Sequence, residues 1–293
     1  MQMLRVRHIT RYRYARPVGF GEHRMMLRPR EDPDQTLVFE QLRITPEPEM
    51  VRIERDALGN FVAIARFCGA ASELCFDSEI LVARKTPPSL IGIPLPGLRP
   101  FPVRGHGGAQ DLAAWAQRFR GRRAGGGLQA VAAMNAHVHH AFTYRRRLEP
   151  GVQTPEQTLA LRAGACRDFA VLIVEAARAL GMTARFVSGY VHCPEPDGGP
   201  ERMGGGHTHA WAQVLTPEAG WVDLDPTSGR VGPEGLIRIA VVEDHGDASP
   251  IQGVYVGAAN DFLHMHVEVE VSASVQNSMT PAQFEPSPVW SVA

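Results

Sequence analysis

The chain has few cysteines and no long apolar runs. Of its 293 residues only Cys68, Cys75, Cys166 and Cys193 are cysteine, too few and too scattered for a disulfide scaffold, and no CxxC pair occurs. No run approaches the ~18 apolar residues of a membrane span. The stretch MQMLRVRHITRYRY alternates apolar and basic residues where a secretion signal would be unbroken and apolar. Charge of one sign is not in excess either: 30 basic residues stand against 31 acidic ones, so no global field recruits nucleic acid or an anionic membrane. Lys85 is the only lysine. These features together predict a soluble, cytoplasmic protein with reduced thiols and neither nucleic acid nor membrane as partner. A content of 44% hydrophobic and 21% charged residues is ordinary globular usage, which excludes disordered, collagenous and coiled-coil classes.

Residues 1 to about 86 read as strands. Leu4, Val6 and His8 alternate with Arg5, Arg7 and Ile9, and Tyr12 and Tyr14 alternate with Arg11 and Arg13. Further runs lie at 37–44, 50–54, 61–67 and 74–83, between turn clusters such as Asp56-Ala57-Leu58-Gly59-Asn60. This spacing predicts an antiparallel, sandwich-like domain over 1–86. Prolines from Pro87 to Pro102, followed by Gly105, Gly107 and Gly108, predict a linker over 87–108. Beyond it the period lengthens. Leu112, Trp115, Ala116 and Phe119 share a helical face, as do Leu128, Val131, Ala132, Val138 and Phe142. Another helix opens near Cys166 and ends at Gly181. Strands return at 183–192, 209–215, 221–225, 236–242 and 264–275. The expectation is an α+β chain, with a core of helices packed on an antiparallel sheet over 109–275 and a loose Ser-, Pro- and Gln-rich tail over 276–293.

Three segments carry chemistry. In Gly164-Ala165-Cys166-Arg167-Asp168-Phe169, small residues lead into a helix whose first turn holds a cysteine, where unpaired amides and the positive dipole end favour a thiolate and can hold an oxyanion. Gly206-His207-Thr208-His209-Ala210-Trp211-Ala212-Gln213-Val214 offers two histidines, one opening a strand. Trp221-Val222-Asp223-Leu224-Asp225-Pro226-Thr227 offers two aspartates on another strand, with Thr216–Gly220 as a hairpin turn between them. If Leu215 pairs with Trp221, Asp225 lies diagonal to His209. A nucleophile, a base and an orienting carboxylate are the requirements of acyl transfer.

The segments GACRDFA, ARFVSGY, THAW and GWVDLDPT resemble the Cys, His and Asp motifs of the transglutaminase-like superfamily, whose core is papain-like. RHITRYRYARPV, RMMLRPR and DALGNFV look like the β-rich domain that precedes this core in a bacterial subgroup, and IRIAVVEDHGDASPIQGVYVG looks like that subgroup's C-terminal strands. The resemblance assigns the nucleophile to Cys166, the base to His209 and the orienting acid to Asp225, leaving His207 and Asp223 aside, and it places Trp211 beside the triad. It implies cysteine-dependent acyl transfer on a peptide or protein amide through a thioester, with hydrolysis favoured. Amine transfer and a non-catalytic peptide-binding role are the alternatives. By family analogy it points to partners in a peptide-modification pathway. Two departures stand out: Gln213 replaces a Glu found in many relatives, and Glu243-Asp244-His245 replaces an Arg-Asp-Tyr run, so no substrate contact is carried over to that segment.

Other signals carry less. His137, His139 and His140 with His207 and His209, and His264 with His266, lack ligand spacing, so no metal is expected. No organic cofactor is required, and no acidic loop suggests calcium. Cys68, Cys75 and Cys193 read as structural. The Arg5 to Arg16 stripe reads as a solvated face balanced by Glu31, Asp32, Asp34 and Glu40. Pro194 to Gly206 reads as a lid over the site.

Overall fold

The computed structural model describes residues 1–85, 112–120, 126–147, 149–193 and 208–274. The expected linker, lid and tail, and His207, lie outside them. The first strand, β1 (Gln2–Met25), is followed by β2 (Gln35–Thr45), β3 (Met50–Arg55), β4 (Phe61–Arg66) and β5 (Ala70–Arg84). Then come α1 (Leu112–Gln117), α2 (Gly127–Ala141), β6 (Thr143–Tyr144), α3 (Pro155–Leu161), β7 (Ala163–Gly164) and α4 (Cys166–Ala179). The rest is β8 (Ala184–Val191), β9 (His209–Thr216), β10 (Gly220–Asp225), β11 (Arg230–Val231), β12 (Leu236–Val242), β13 (Ile251–Val256) and β14 (Phe262–Ser274).

The α+β architecture is as expected. β1 is long enough to serve as the spine of a seven-stranded antiparallel sheet in the order β2-β5-β1-β4-β3, with β13 and β14 also paired to β1. Its alternation sends Leu4, Val6, His8 and Thr10 inward, all 3% exposed or less, while the intervening arginines face water. Their partners are not the expected ones. Arg5 pairs with Glu79, Arg7 with Asp77, Arg11 and Arg13 with Glu73, and Arg16 with Asp261. Cross-strand neighbours on β5 thus neutralise the stripe, and the 31–40 acids are spent on other arginines. β13 and β14, grouped with the core on sequence, complete the N-terminal sheet: β14 runs beside β1 from Met3↔Ser274 to Tyr14↔Phe262.

The second sheet is antiparallel, in the order β11-β10-β9-β8-β12. On one face Ala210, Ala212, Val214, Val222 and Leu224 pack against Phe169, Leu172, Ile173 and Ala176 of α4. The other face meets the N-terminal sheet, where Tyr190, Ile237, Ile239 and Ala240 pack with Leu4, Val6, Ile80 and Val82. Covered on both sides, β12 is buried at every position, which explains its run Leu-Ile-Arg-Ile-Ala-Val-Val, apolar but for Arg238. Its free edge is capped by two side-chain amides from the N-terminal region. Gln35 Nε2 donates to the Arg238 carbonyl at 2.8 Å and Gln35 Oε1 accepts from the Arg238 amide at 2.9 Å; Asn60 does the same to Val241 at 2.8 Å in both directions. These contacts imitate a strand and close the edge.

α3 had no counterpart in the sequence reading, although a signal was present. Thr154 accepts from the Gln157 amide at 3.2 Å, Gln157 reaches back to the Thr154 amide at 2.9 Å, and Pro155 opens the helix. The hairpin register matches the expected one, Trp221 opposite Leu215.

Gly189 fixes how closely the strands of this sheet approach. A Cβ there would overlap the Ile237 carbonyl oxygen and lie 2.9 Å from the Trp211 ring. Because the overlap is with backbone, Gly189→Ala is expected to destabilise by about 3 kcal/mol, lowering Tm by roughly 6 °C or more. A midpoint within about 1 °C of wild type, against that expectation, would show that the sheet yields there.

Candidate active site

The fold brings the three resemblance-assigned residues to one end of the core. His209 is the first residue of β9, Asp225 is the last of its antiparallel neighbour β10, and Cys166 is the first of α4, which crosses β9 and β8. Asp225 is held rigidly: Oδ1 accepts from the Thr227 amide at 3.0 Å and Oδ2 from the Ser228 hydroxyl at 2.6 Å. His209 Nε2 lies 3.0 Å from Asp225 Oδ2, both side chains being 1% exposed. That leaves Nδ1 as the ring nitrogen that can serve the Cys166 thiol, which raises the proton affinity of the imidazole. Among the described residues neither ring nitrogen meets full hydrogen-bond geometry, so the His209–Asp225 contact is close in distance and oblique in angle.

Electrostatics set the resting charge state. Burial by itself pushes the His209 imidazole down; the Asp225 charge and hydrogen bond, and then Cys166, outweigh it and raise its pKa to about 10. Burial likewise pushes the Asp225 carboxyl up, and the facing His209 charge with the Ser228 and Thr227 hydrogen bonds brings it below the ordinary carboxylate value. The arrangement therefore favours an imidazolium clamped by a carboxylate on one side and able to pair with a thiolate on the other.

Residues around Cys166 that the sequence reading passed over fix its position. Asp168, fully buried, accepts from the Ala165 amide at 2.8 Å, the Gln153 amide at 2.8 Å and Arg147 Nη1 at 2.7 Å. Arg167 donates to the carbonyls of Gly151 at 2.8 Å and Glu149 at 2.7 Å. The helix start and the loop before α3 are thereby tied together. An acid three positions past Ala165 is half of a capping box, the one local signal that could have revealed Asp168. Tyr144, carried alongside by the short parallel pairing of β6 with β7, stays a neutral phenol: burial first, then the Cys166 charge, push it up to about 12.

The residues set aside have other work. Asp223, 2% exposed, accepts from Trp211 Nε1 and Gln213 Nε2, both at 2.7 Å, and from Arg238 Nη1 at 2.9 Å. Gln213 also accepts from Arg185 at 2.9 Å. A glutamate at 213 would set a second carboxylate against Asp223, so the departure from the family pattern is matched by this network. Trp211, fully buried, lies 6.0 Å from the His209 ring at an interplanar angle of 26°, so it both packs the core and floors the His209 imidazole. His137 sits among the rings of Trp115, Phe119 and Phe142, and His139 pairs with the Thr227 carbonyl at 3.0 Å. Glu243, Asp244 and His245 line an open cleft with Glu175 and Arg178 at the far end of α4, about 20 Å from Cys166 by helix length. Among the described residues no helix is long and apolar enough to cross a membrane.

Comparison with known proteins agrees with this architecture. The family described as bacterial transglutaminase-like N-terminal region matches residues 4–83, and the transglutaminase-like superfamily matches residues 113–226. An uncharacterized protein of Mycobacterium tuberculosis is 28% identical over 289 residues, covering 90% of this chain and 91% of its own. One of Mycobacterium leprae is 29% identical over 283 residues, covering 92% and 99%. A solved structure from Cytophaga hutchinsonii, provisionally named a cysteine protease, aligns with a TM-score of 0.65 at 20% identity over 96% of this chain and 93% of that one, a likeness of fold. With the N-terminal region and the core both matched in order, the chain belongs to the transglutaminase-like superfamily, a family of cysteine-dependent acyl transfer.

Proposed function

We propose that the protein is an enzyme that hydrolyses an amide in a peptide or protein through a Cys166–His209–Asp225 triad. The observation that carries this reading is the buried imidazole, 3.0 Å from an anchored carboxylate and under the influence of a helix-N-terminal thiol. The Cys166 thiolate attacks the carbonyl carbon, and the developing oxyanion faces the amides of Cys166 and Arg167, which have no i−4 carbonyl to serve. The C–N bond breaks as imidazolium gives its proton to the leaving amine, leaving a thioester. His209 then takes a proton from water, the hydroxide attacks the thioester, and the acid leaves with the thiolate restored. Asp225 holds the imidazole orientation throughout. Water as acceptor follows the cysteine-protease name of the Cytophaga relative. The cytoplasm, where the glutathione pool keeps Cys166 reduced, is the proposed setting. No metal or organic cofactor enters any step.

The test is an acid-quenched incubation with a proteome-derived peptide mixture and a primary amine, read by mass spectrometry. An acyl adduct mapped to Cys166, with carboxylate products in excess of amides, is expected. Cys166→Ser should form no thioester adduct and lose turnover by on the order of a thousandfold or more. Full activity in that variant would overturn the mechanism, and predominantly amide products would replace water by an amine as acceptor.

A further inference from the structure

β14 forms one edge of the N-terminal sheet. β1 takes β5 on its other side, and among the described residues β14 has no second neighbour. Its 13 residues are thus a long strand with a row of outward backbone donors and acceptors, and it contains neither lysine nor proline, the usual guards of such an edge. Its exposure is unusual for an apolar-rich strand: Met265 is 52% exposed and Leu263 57%.

The side chains along this edge are ordered by charge. On the solvent face, His264 and His266 stand beside Arg13 and Arg11 of β1, and Glu268 and Glu270 follow in the other half. A strand with two imidazole hydrogen-bond donors in one half and two carboxylate acceptors in the other is complementary to itself when reversed. Centring a twofold axis on Val267 puts His266 opposite Glu268 and His264 opposite Glu270 on one face, and Met265 opposite Val269 on the other. Sliding the register by two residues either way sets His266 or Glu268 against its own copy. Sliding by one matches the charged face of one copy to the apolar face of the other. Only the Val267-centred register satisfies both faces.

We infer that β14 is a homodimer interface, at which two copies of this chain pair antiparallel about Val267 and extend the N-terminal sheet across the twofold axis. Such an isologous contact is closed, so it limits the edge to one partner. It also covers Met265 and completes the backbone hydrogen bonding of the strand.

Charge exchange in the full-length chain tests this, with mass measured by light scattering and sedimentation at 1–100 µM, a range of about two decades around micromolar affinity. Wild type is expected to dimerise. His264→Glu with His266→Glu, acids that face Arg13 and Arg11 and so leave the monomer sound, should weaken the dimer roughly tenfold or more by like-charge pairing. Glu268→Lys with Glu270→Lys, which removes the carboxylates that accept from His266 and His264 of the other copy, should weaken it as well. An equimolar mixture of the two variants, in which the introduced acids of one copy face the introduced lysines of the other, should recover the dimer. Circular dichroism checks that each variant is folded. A wild type that stays monomeric over this range, or dimers that persist in both variants and gain nothing on mixing, would overturn the assignment. The same holds if wild type is monomeric because another part of the chain occupies the edge.

Discussion

Removing the imidazole in His209→Ala is expected to slow iodoacetamide alkylation of Cys166 at pH 6 by about two orders of magnitude. An ordinary thiol, with a pKa near 8.5, is ionised to only a few parts per thousand at pH 6. A cation next to a thiol is the general means of activating it, and His209 remains charged up to about 10. The other three cysteines, read by peptide mapping in the same samples, serve as internal references. Equal rates for Cys166 in wild type and variant would separate the thiol from the histidine and end the triad reading. Asp225→Asn should leave the hydrogen-bonded turn at 226–228 largely in place but take away the charge that opposes burial. The alkaline limb of wild-type activity, set by loss of the His209 proton, should then move to lower pH, with turnover down by roughly 10⁴. The same shifts act on stability. Because the folded His209 pKa lies above its ordinary 6.5, its contribution is complete below pH 6.5 and is lost as pH rises through about 10. Asp225, depressed below its ordinary 3.8, contributes above that value and loses its contribution as pH falls through the folded value. Stability and activity should therefore share a window between these limits.

Arg238→Met is expected to cost about 3–5 kcal/mol, the range for breaking a buried ionic cluster by deleting one partner. The Arg238 side chain is 6% exposed and reaches three carboxylates: Nε donates to Asp32 at 2.9 Å, Nη2 to Asp34, and Nη1 to Asp223 at 2.9 Å. Arg84 lies 3.2 Å from Asp34 and donates to Gln35 Oε1 at 2.9 Å. Methionine preserves the length of the stem, strips buried Asp223 of its cationic partner and leaves Asp34 to Arg84 and Asp32 to Arg30. Two of the three acids belong to the N-terminal region, and the third orients Trp211 beneath His209. The loss should therefore appear both as a lower denaturant midpoint and as slower Cys166 alkylation under native conditions. A loss smaller than about 1 kcal/mol would mean that the acids are relieved by solvent, as at a surface pair.

The chain's local patterns reached some of these features and not others. Leu4, Val6 and His8 alternate visibly, and their burial follows from the period of two. The four-residue steps from Phe169 to Leu180 announce α4, and a cysteine opening that helix is a local fact as well. The turn at Thr216–Gly220 fixes the pairing of β9 with β10, so the nearness of His209 and Asp225 could be argued from hairpin geometry alone. Choosing between His207 and His209, or between Asp223 and Asp225, could not: residues two apart have the same alternation, and the family motifs made both choices, with the tertiary structure adding different partners for Asp223 and Asp225.

Spacing along the chain determined the strands, the principal helix and the three chemical groups, because each depends on residues within a few positions of one another. The tertiary structure decided which groups meet. Asp32 and Asp34 lie more than 200 residues from Arg238, β14 returns to β1 across almost the whole chain, and the stripe Arg5–Arg16 found its partners on β5 and at Asp261. No local period encodes such contacts. They follow from burying two sheets against each other, which removes charged side chains from water and requires each to find a partner already inside.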